Sequence, residues 1–194
     1  SKLNEPMAVG YSCVGVVREV GSDIKEFNIG DRVVSNGPHS TLNRMGSNLC
    51  AKIPTNVSDD DASFTIVGSI ALQSLRLFKP EIGEKIAVFG VGLIGLITVQ
   101  MLKANGCEVL AIDKDSERLK LAKEYGANVC DLSKDDDPLE HAKIFSDSVG
   151  VDGVIIAAST NSNDLISTSA KICRKKARII LIGVVGLQIN RSDF

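Results

Sequence analysis

The sequence predicts an α/β protein built mainly on a doubly wound parallel sheet of the Rossmann type. Three observations support this fold class. Short apolar runs alternate with helical segments after residue 84, a glycine-rich turn joins the first run to its helix, and an aspartate ends the next run. Strands that are buried on both faces have such continuous Val, Ile and Leu runs. Their alternation with helices favours parallel pairing with right-handed crossovers.

The first 56 residues predict a separate, β-rich domain. β-Branched residues dominate VGVVREV at 14–20 and GDRVVSN at 30–36, which is typical of short strands joined by turns. No helical pattern precedes Asp59. We therefore assign residues 1–56 to this first domain and residues 57–194 to the α/β domain.

A single capped helix is predicted at the start of the second domain. Ser58 precedes three aspartates, so that it suits the N-cap position while the acidic first turn complements the helix dipole. Apolar residues then recur at helical spacing up to Leu77. Pro80 and Gly83 are expected to end this helix.

Five strands then alternate with four helices. The predicted strands are 85–90, 107–113, 128–132, 152–159 and 177–186. The predicted helices are 93–105, 115–126, 137–150 and 162–174. Pro138 suits a helix start and Gly126 a helix end. The chain stops at Phe194 soon after the fifth strand, so the last Rossmann strand is expected to be missing.

The glycine-rich turn has the pattern GxGxxG, formed by Gly90, Gly92 and Gly95. It follows a strand and opens a helix, which is the context that dinucleotide binding requires. The first glycine permits the tight turn, the second lets backbone approach a pyrophosphate, and the third allows close helix–strand packing. Leu93 and Ile94 then begin the helix, whose free N–H groups would face the phosphates.

Asp113 ends the next strand and points to the identity of the dinucleotide. A carboxylate there accepts hydrogen bonds from the adenosine ribose diol and repels a 2′-phosphate, which favours NAD over NADP. Lys114 and Arg118 follow closely and leave some tolerance for NADP. The alternative is a glycine-rich packing turn without a ligand.

The ends of the fourth and fifth strands supply further candidate cofactor contacts. Ligands of open α/β sheets lie beyond the carboxyl ends of the strands, at the switch point. Ala158, Ser159, Gly183 and Val184 could therefore line the cofactor's ribose and nicotinamide. Ordinary strand-to-loop transitions would give the same pattern.

The composition of the chain argues against nucleic-acid and membrane partners and favours a cytoplasmic location. The chain has 194 residues, a net charge of −2 and no basic run, so nucleic acid is not expected as a partner. Its longest apolar stretches, such as 179–187, fall short of the roughly 20 residues that span a bilayer. The five cysteines are scattered without a CxxC, which favours a reduced, cytoplasmic protein.

The stretch GYSCVGVVREVGSDIKEFNIGDRVV at 10–34 resembles the GHExxGxVxxVGxxVxxxxxGDRV pattern of the medium-chain dehydrogenase/reductase superfamily, in its zinc alcohol dehydrogenase-like group. The resemblance covers the chain from about Pro6 to its end. It implies a GroES-like β-barrel catalytic domain, present here in its later part, followed by an NAD(P)-binding Rossmann domain.

The sequence departs from that family at its zinc ligands. The family's zinc-binding His and its neighbouring Glu fall on Tyr11 and Ser12, and a later ligand should fall near Thr65. Residues 62–72 contain no Cys, His, Asp or Glu, and tyrosine or serine does not replace imidazole or carboxylate on zinc. The sequence therefore predicts no zinc and no other metal.

Without zinc to polarise the substrate oxygen, hydrogen-bond donors must do so. By the resemblance, the candidates are Tyr11, Ser12, His39, Thr65 and Ser69. Tyr11 or His39 could donate a proton, although Tyr11 could simply fill the metal's space and His39 could be a surface loop residue. Ser69 could touch the cofactor or only pack its helix, and the sequence does not choose among these candidates.

The predicted function is hydride transfer between NAD(H) and a carbonyl, alcohol or activated alkene substrate without zinc. The alternative is an NAD(H)-binding or sensing module without catalysis of its own. The stretches at 68–77, 84–113 and 183–194 also resemble bi-domain oxidoreductases of sugar metabolism, which implies a sugar-derived substrate and a covalently linked second module. A sheet lacking its last strand exposes an edge, so a homodimer also stays open.

Overall fold

The computed structural model describes residues 10–162 and 164–193, and within them the α/β class is confirmed. The chain divides into two compact units, one ending at Ser69 and the other beginning at Ile70. The division falls within the long helix α2 (Thr65–Phe78). The domain boundary drawn at residue 57 stays a prediction, because a compact unit need not coincide with a domain.

The first unit contains a small antiparallel sheet. Its strands, in the order β1-β2-β3, are β1 (Tyr11–Val16), β2 (Arg32–Pro38) and β3 (Cys50–Lys52). Val34, Ile53 and Ala62 form its buried centre. The pairing of β1 with β2 shifts register between Tyr11 and Cys13, and the intervening Ser12 has a φ of 89°, which is rare for a residue with a side chain.

The single helix expected after Ser58 is wrong, because the structure has a one-turn helix α1 (Asp59–Ala62) and then α2. The predicted cap is confirmed: the Asp61 amide donates to Ser58 Oγ over 3.0 Å. Ser63 Oγ donates back to the Asp60 carbonyl over 2.6 Å, and such bonds compete with a regular helix. The Ser63 carbonyl accepts a hydrogen bond from Ser12 Oγ. A residue distant in sequence therefore also stabilises the interruption between α1 and α2.

The second unit contains the parallel sheet, which has the order β6-β5-β4-β7-β8 within the described residues. Its strands are β4 (Lys85–Phe89), β5 (Glu108–Asp113), β6 (Asn128–Asp131), β7 (Val151–Ile156) and β8 (Cys173–Leu181). The helices between them are α3 (Leu93–Ala104), α4 (Ser116–Glu124), α5 (Pro138–Phe145) and α6 (Asp164–Ile172). The chain runs outward from β4 to β6 and then returns to β7, so the switch point lies between β4 and β7.

Alternate side chains of the central strands are buried on the two faces of this sheet. Ile86 and Val88 pack into one apolar cluster, and Ala87 and Phe89 pack into the other. The helices supply the rest of both clusters, which explains the continuous apolar runs in the sequence. No helix within the described residues is long and apolar enough to cross a bilayer.

Most helix ends follow the sequence signals, but the last strand does not. Pro138 begins α5, and Gly126 follows α4 with a φ of 85°, so both predictions are confirmed. The strand expected at 177–186 instead begins at Cys173, within the segment predicted as helix, and ends at Leu181. Pairing with β7 extends β8 backward and shifts register between Val151 and Gly153, which no local pattern encodes.

Asp152 on β7 joins three segments of the second unit. Its carboxylate accepts the Lys85 amide over 2.7 Å and Arg174 Nε over 2.5 Å. Burial alone would raise the pKa of this carboxyl group, but the Lys85 amide and the Arg174 guanidinium outweigh it and hold the pKa below its usual value of 3.8. A carboxylate whose pKa is lowered by folding stabilises the folded state above its usual pKa and loses this contribution as the pH falls.

We expect Asp152→Asn to lower the free energy of unfolding by about 1.5–3 kcal/mol at neutral pH, since it weakens a charge-assisted hydrogen bond. The difference from the parent should shrink as the pH falls below about 4, where the parent carboxylate also becomes protonated. Urea unfolding at several pH values measures both effects. Asp147→Asn is the control, because Asp147 is 82% exposed and its pair with Lys85 should contribute little. A constant difference at every pH would contradict the assignment.

Candidate functional site

The first and third glycines of the turn are required by the packing of the protein itself. Gly90 has a φ of 85°, and a Cβ there would lie 2.6 Å from the Ala158 backbone nitrogen. A Cβ on Gly95 would lie 2.0 Å from the Gly90 carbonyl oxygen. Both distances are far below van der Waals contact, so neither position admits a side chain without a backbone shift.

Gly92 is different, because nothing in the protein requires it to be glycine. Its φ of −66° is accessible to any residue, and a Cβ there would meet only Arg118 Nη1, at 3.8 Å. Gly92 is also the N-cap of α3 and provides no side-chain cap bond. A Cβ at the N-cap of α3 would therefore point into nearly open space, beside the first amides of the helix, Leu93 and Ile94, where the helix dipole is positive.

Asp113 ties the glycine turn to the end of β5. Its Oδ2 accepts the Val91 amide over 2.7 Å, and its Oδ1 accepts the amides of Lys114 and Asp115 over 2.7 and 3.0 Å. A carboxylate has about four acceptor positions, so about one is left for a ligand hydroxyl. The sequence argument considered only a ligand for Asp113 and missed this structural role.

Of the two cations predicted beside Asp113, Arg118 lies next to the glycine turn. Its guanidinium pairs with Asp115 over 3.2 Å and approaches the space above Gly92. Lys114 is exposed, and its backbone amide makes the bond to Asp113. An exposed arginine at this position can form an ion pair with a negatively charged group of a ligand.

The ends of β7 and β8 meet the glycine turn at one edge of the sheet. The Ala158 amide donates to the Phe89 carbonyl over 3.0 Å. A Cβ on Gly183 would lie 2.0 Å from the Ala158 carbonyl oxygen, so these backbones pack tightly. Ser159 and Val184 are exposed at the same edge. The structure therefore brings together the predicted residues of the turn and of both strand ends.

The first unit contains a second concave site, a pocket of about 290 Å³. Thr65 and Ser69, both predicted as candidates, line it together with Asn36 and Asn48. Ser69 Oγ donates to the Ile66 carbonyl over 2.7 Å within its own helix. The two asparagines were not predicted, because Asn36 lies on β2 and Asn48 in a short turn before β3, with no spacing that links either residue to Thr65.

Tyr11 and His39 meet each other but do not line this pocket. His39 Nε2 lies 3.1 Å from the Tyr11 carbonyl oxygen, and a carbonyl only accepts, so Nε2 carries the proton in this contact. The Tyr11 residue is 51% exposed. The role of either side chain as proton donor stays a prediction.

The positions that correspond to the family's zinc ligands do not fit a zinc ion. Ser12 Oγ is engaged with the Ser63 carbonyl, and Tyr11 and Thr65 offer hydroxyl groups instead of imidazole, thiolate or carboxylate. Across residues 10–162 and 164–193, one group of three or more His, Cys, Asp and Glu side chains is close enough to share a metal ion, and it lies in the second unit.

Comparison with known proteins matches both units to domain families. The model of the zinc-binding dehydrogenase family matches residues 94–192, and that of the alcohol dehydrogenase GroES-like domain matches residues 1–73. L-idonate 5-dehydrogenase of Vitis vinifera is 28% identical over 94% of this chain and 59% of its own length. (R,R)-butanediol dehydrogenase of Bacillus subtilis is 31% identical over 68% of this chain and 46% of its own.

The fold is also that of solved structures. Escherichia coli quinone oxidoreductase, in complex with NADPH, superposes with a TM-score of 0.81 at 21% identity over 98% of this chain and 62% of that one. At this identity the likeness concerns the fold alone. The chain spans about half to two thirds of the length of the proteins that it matches.

Proposed function

The chain belongs to the zinc-binding dehydrogenase family, within the medium-chain dehydrogenase/reductase superfamily. We propose that the protein is an oxidoreductase that transfers hydride between NAD(H) and a carbonyl, alcohol or activated alkene substrate, and that it does so without zinc. The open space at Gly92 is the observation that carries this proposal. Apart from the end of the Arg118 side chain, no group lies close to that space at the uncapped start of α3, which suits a pyrophosphate.

The dinucleotide would supply the hydride acceptor or donor. In this proposal the α3 amides hold its pyrophosphate, and the remaining acceptor position of Asp113 takes a ribose hydroxyl. Ala158 and Gly183 place no large side chain at the neighbouring strand ends. The backbone there is therefore accessible to the nicotinamide ring of the cofactor. These residues bind and orient the cofactor.

Preference for NAD over NADP is the first testable part. We expect NADH to bind at least about tenfold more tightly than NADPH, since a 2′-phosphate beside Asp113 adds repulsion of about 1.4 kcal/mol or more. Asp113→Asn should reduce this ratio toward unity. Fluorescence titration with both cofactors measures it.

The ratio is the appropriate readout because Asp113 also orders the glycine turn. Damage to that turn weakens both cofactors alike and cancels in the ratio. Glu124→Gln is the matched control, since it removes a carboxylate at the far end of α4 that neither bonds the turn nor pairs with Arg118 and should change the ratio little. An unchanged ratio in Asp113→Asn would contradict the proposed ribose contact. Tight NADH binding without turnover of any tested alcohol or carbonyl would favour the non-catalytic binding module.

Independence from zinc rests on the hydroxyl groups that replace the family's ligands. The pocket lined by Thr65, Ser69, Asn36 and Asn48 offers hydroxyl and amide groups that can bond a substrate oxygen. We place substrate recognition there and keep Tyr11 and His39 as proton-donor candidates. Treatment with a chelator should therefore leave turnover unchanged under conditions in which circular dichroism shows the protein to stay folded.

We propose small polyhydroxylated molecules, including sugar-derived ones, as the substrate class. Two relatives are named for idonate and for butanediol, and both names describe small hydroxylated molecules. A cytoplasmic location, a homodimer and a linked second oxidoreductase module are further parts of this proposal, as is the absence of nucleic-acid and membrane partners.

A further inference from the structure

Three potential metal ligands meet where β6 leads into α5. Cys130 lies on β6, Asp136 lies in the connecting loop, and His141 lies on α5. One ligand atom from each is within 4.8 Å of the other two. His141 Nε2 and Asp136 Oδ2 are 3.5 Å apart. The cluster uses neither the glycine turn nor the pocket of the first unit, so it is independent of the proposed function.

These separations are close to those of a tetrahedral zinc site. Zinc bonds of about 2.0–2.3 Å to nitrogen, oxygen and sulfur place neighbouring ligand atoms about 3.4–3.6 Å apart. The His141–Asp136 separation already has this value, and the thiol, which lies within 4.8 Å of both partners, needs to approach by about 1.3 Å at most to reach it. We propose that Cys130, Asp136 and His141 bind a divalent cation that prefers sulfur and nitrogen ligands, with zinc as the leading candidate and water as the fourth ligand.

The surroundings of the three side chains fit a cation. Cys130 has no exposed surface, so its sulfur has a fixed position on the sheet, whereas Asp136 and His141 are about one third exposed and leave room for a water ligand. The Asp131 amide donates to Asp136 Oδ2 over 2.8 Å, which orients that carboxylate as partners of metal ligands usually do. Lys134 pairs with Asp131 instead of Asp136, so its charge is already engaged.

Metal binding requires the thiolate form of Cys130, so a cation that binds there displaces the thiol proton. Bound metal would join the end of β6 to α5 and close the segment 132–137 between them. Since metal binds only the folded site, it should also stabilise the second unit.

Cobalt provides the test, because it replaces zinc and reports a thiolate ligand by ultraviolet charge-transfer absorption. We expect the chelator-treated protein to bind a single equivalent of Co²⁺ with this absorption, and added Zn²⁺ to abolish it. Cys130→Ser should remove the absorption, and His141→Gln should weaken zinc affinity by at least about tenfold, since even outer partners of a metal contribute that much. Calorimetric titration with Zn²⁺ measures the affinity.

Two controls isolate the site. Cys107→Ser changes another buried thiol and His39→Gln changes the other histidine of the chain, and both should bind cobalt as the parent does. Absence of thiolate absorption in the parent, or its persistence in Cys130→Ser, would overturn the proposal. If Cys130→Ser does not fold, the test relies on His141→Gln, because the His141 side chain is partly exposed and its substitution should leave the protein folded. Unchanged zinc affinity in His141→Gln would also overturn the proposal.

Discussion

Replacing Gly92 with alanine should weaken NADH binding by about ten- to a hundredfold while leaving the stability of the protein unchanged. The backbone of Gly92 is ordinary, and the added Cβ meets only the end of Arg118, at 3.8 Å. A pyrophosphate seated on the α3 amides must occupy the same space, and forcing an extra methyl group against a packed ligand costs about 1–3 kcal/mol. Fluorescence titration and thermal unfolding measure the two quantities.

The comparison with Gly95→Ala makes this experiment specific. At Gly95 the Cβ clashes with the Gly90 carbonyl, so that substitution should damage both stability and binding. Gly15→Ala is a neutral control, because no atom lies within 4 Å of its Cβ. NADH affinity that is unchanged in Gly92→Ala would remove the observation on which the proposed function depends.

Phe78→Ala should lower the free energy of unfolding by about 3–5 kcal/mol, which is the usual cost of emptying a buried aromatic site. Phe78 is fully buried at the end of α2. The Arg178 guanidinium lies 4.5 Å from its ring centroid, and a Cβ on Gly153 would lie 2.0 Å from the ring. The ring therefore fills the space that the missing side chain of Gly153 leaves.

Urea unfolding followed by circular dichroism measures this effect. Leu77→Ala is the matched control on the same helix, because Leu77 is 54% exposed and its loss should change stability by less than about 1 kcal/mol. Equal effects of the two substitutions would show that Phe78 is not a core residue.

Local signals predicted most of the second unit. Continuous apolar runs located all five strands, although the fifth begins earlier than predicted, and Pro138 marked a helix start while Gly126 marked a helix end. These features depend on residues that are close in sequence, where spacing, capping and turn preferences act directly. The βα alternation also predicts parallel strands, whose carboxyl ends lie at one edge of the sheet together with the glycine turn.

Features that depend on distant residues were not predictable. The break at Ser63 involves Ser12, the early start of β8 involves β7, and the bonds of Asp113 involve the glycine turn. In each case a tertiary contact outweighs the local preference. The convergence of Cys130, Asp136 and His141 is of the same kind, since a strand, a loop and a helix each contribute one of these residues and their spacing is not that of a known metal motif.

The three amide bonds to Asp113 have a consequence for how cofactor choice can evolve. In the proposed NAD site, a change to NADP would begin by removing this carboxylate, and the same step would release the amides of Val91, Lys114 and Asp115. The first mutation would therefore disorder the turn before any new phosphate contact could compensate. Cofactor switching in this chain should therefore be strongly epistatic. A second substitution that stabilises the turn would have to come first.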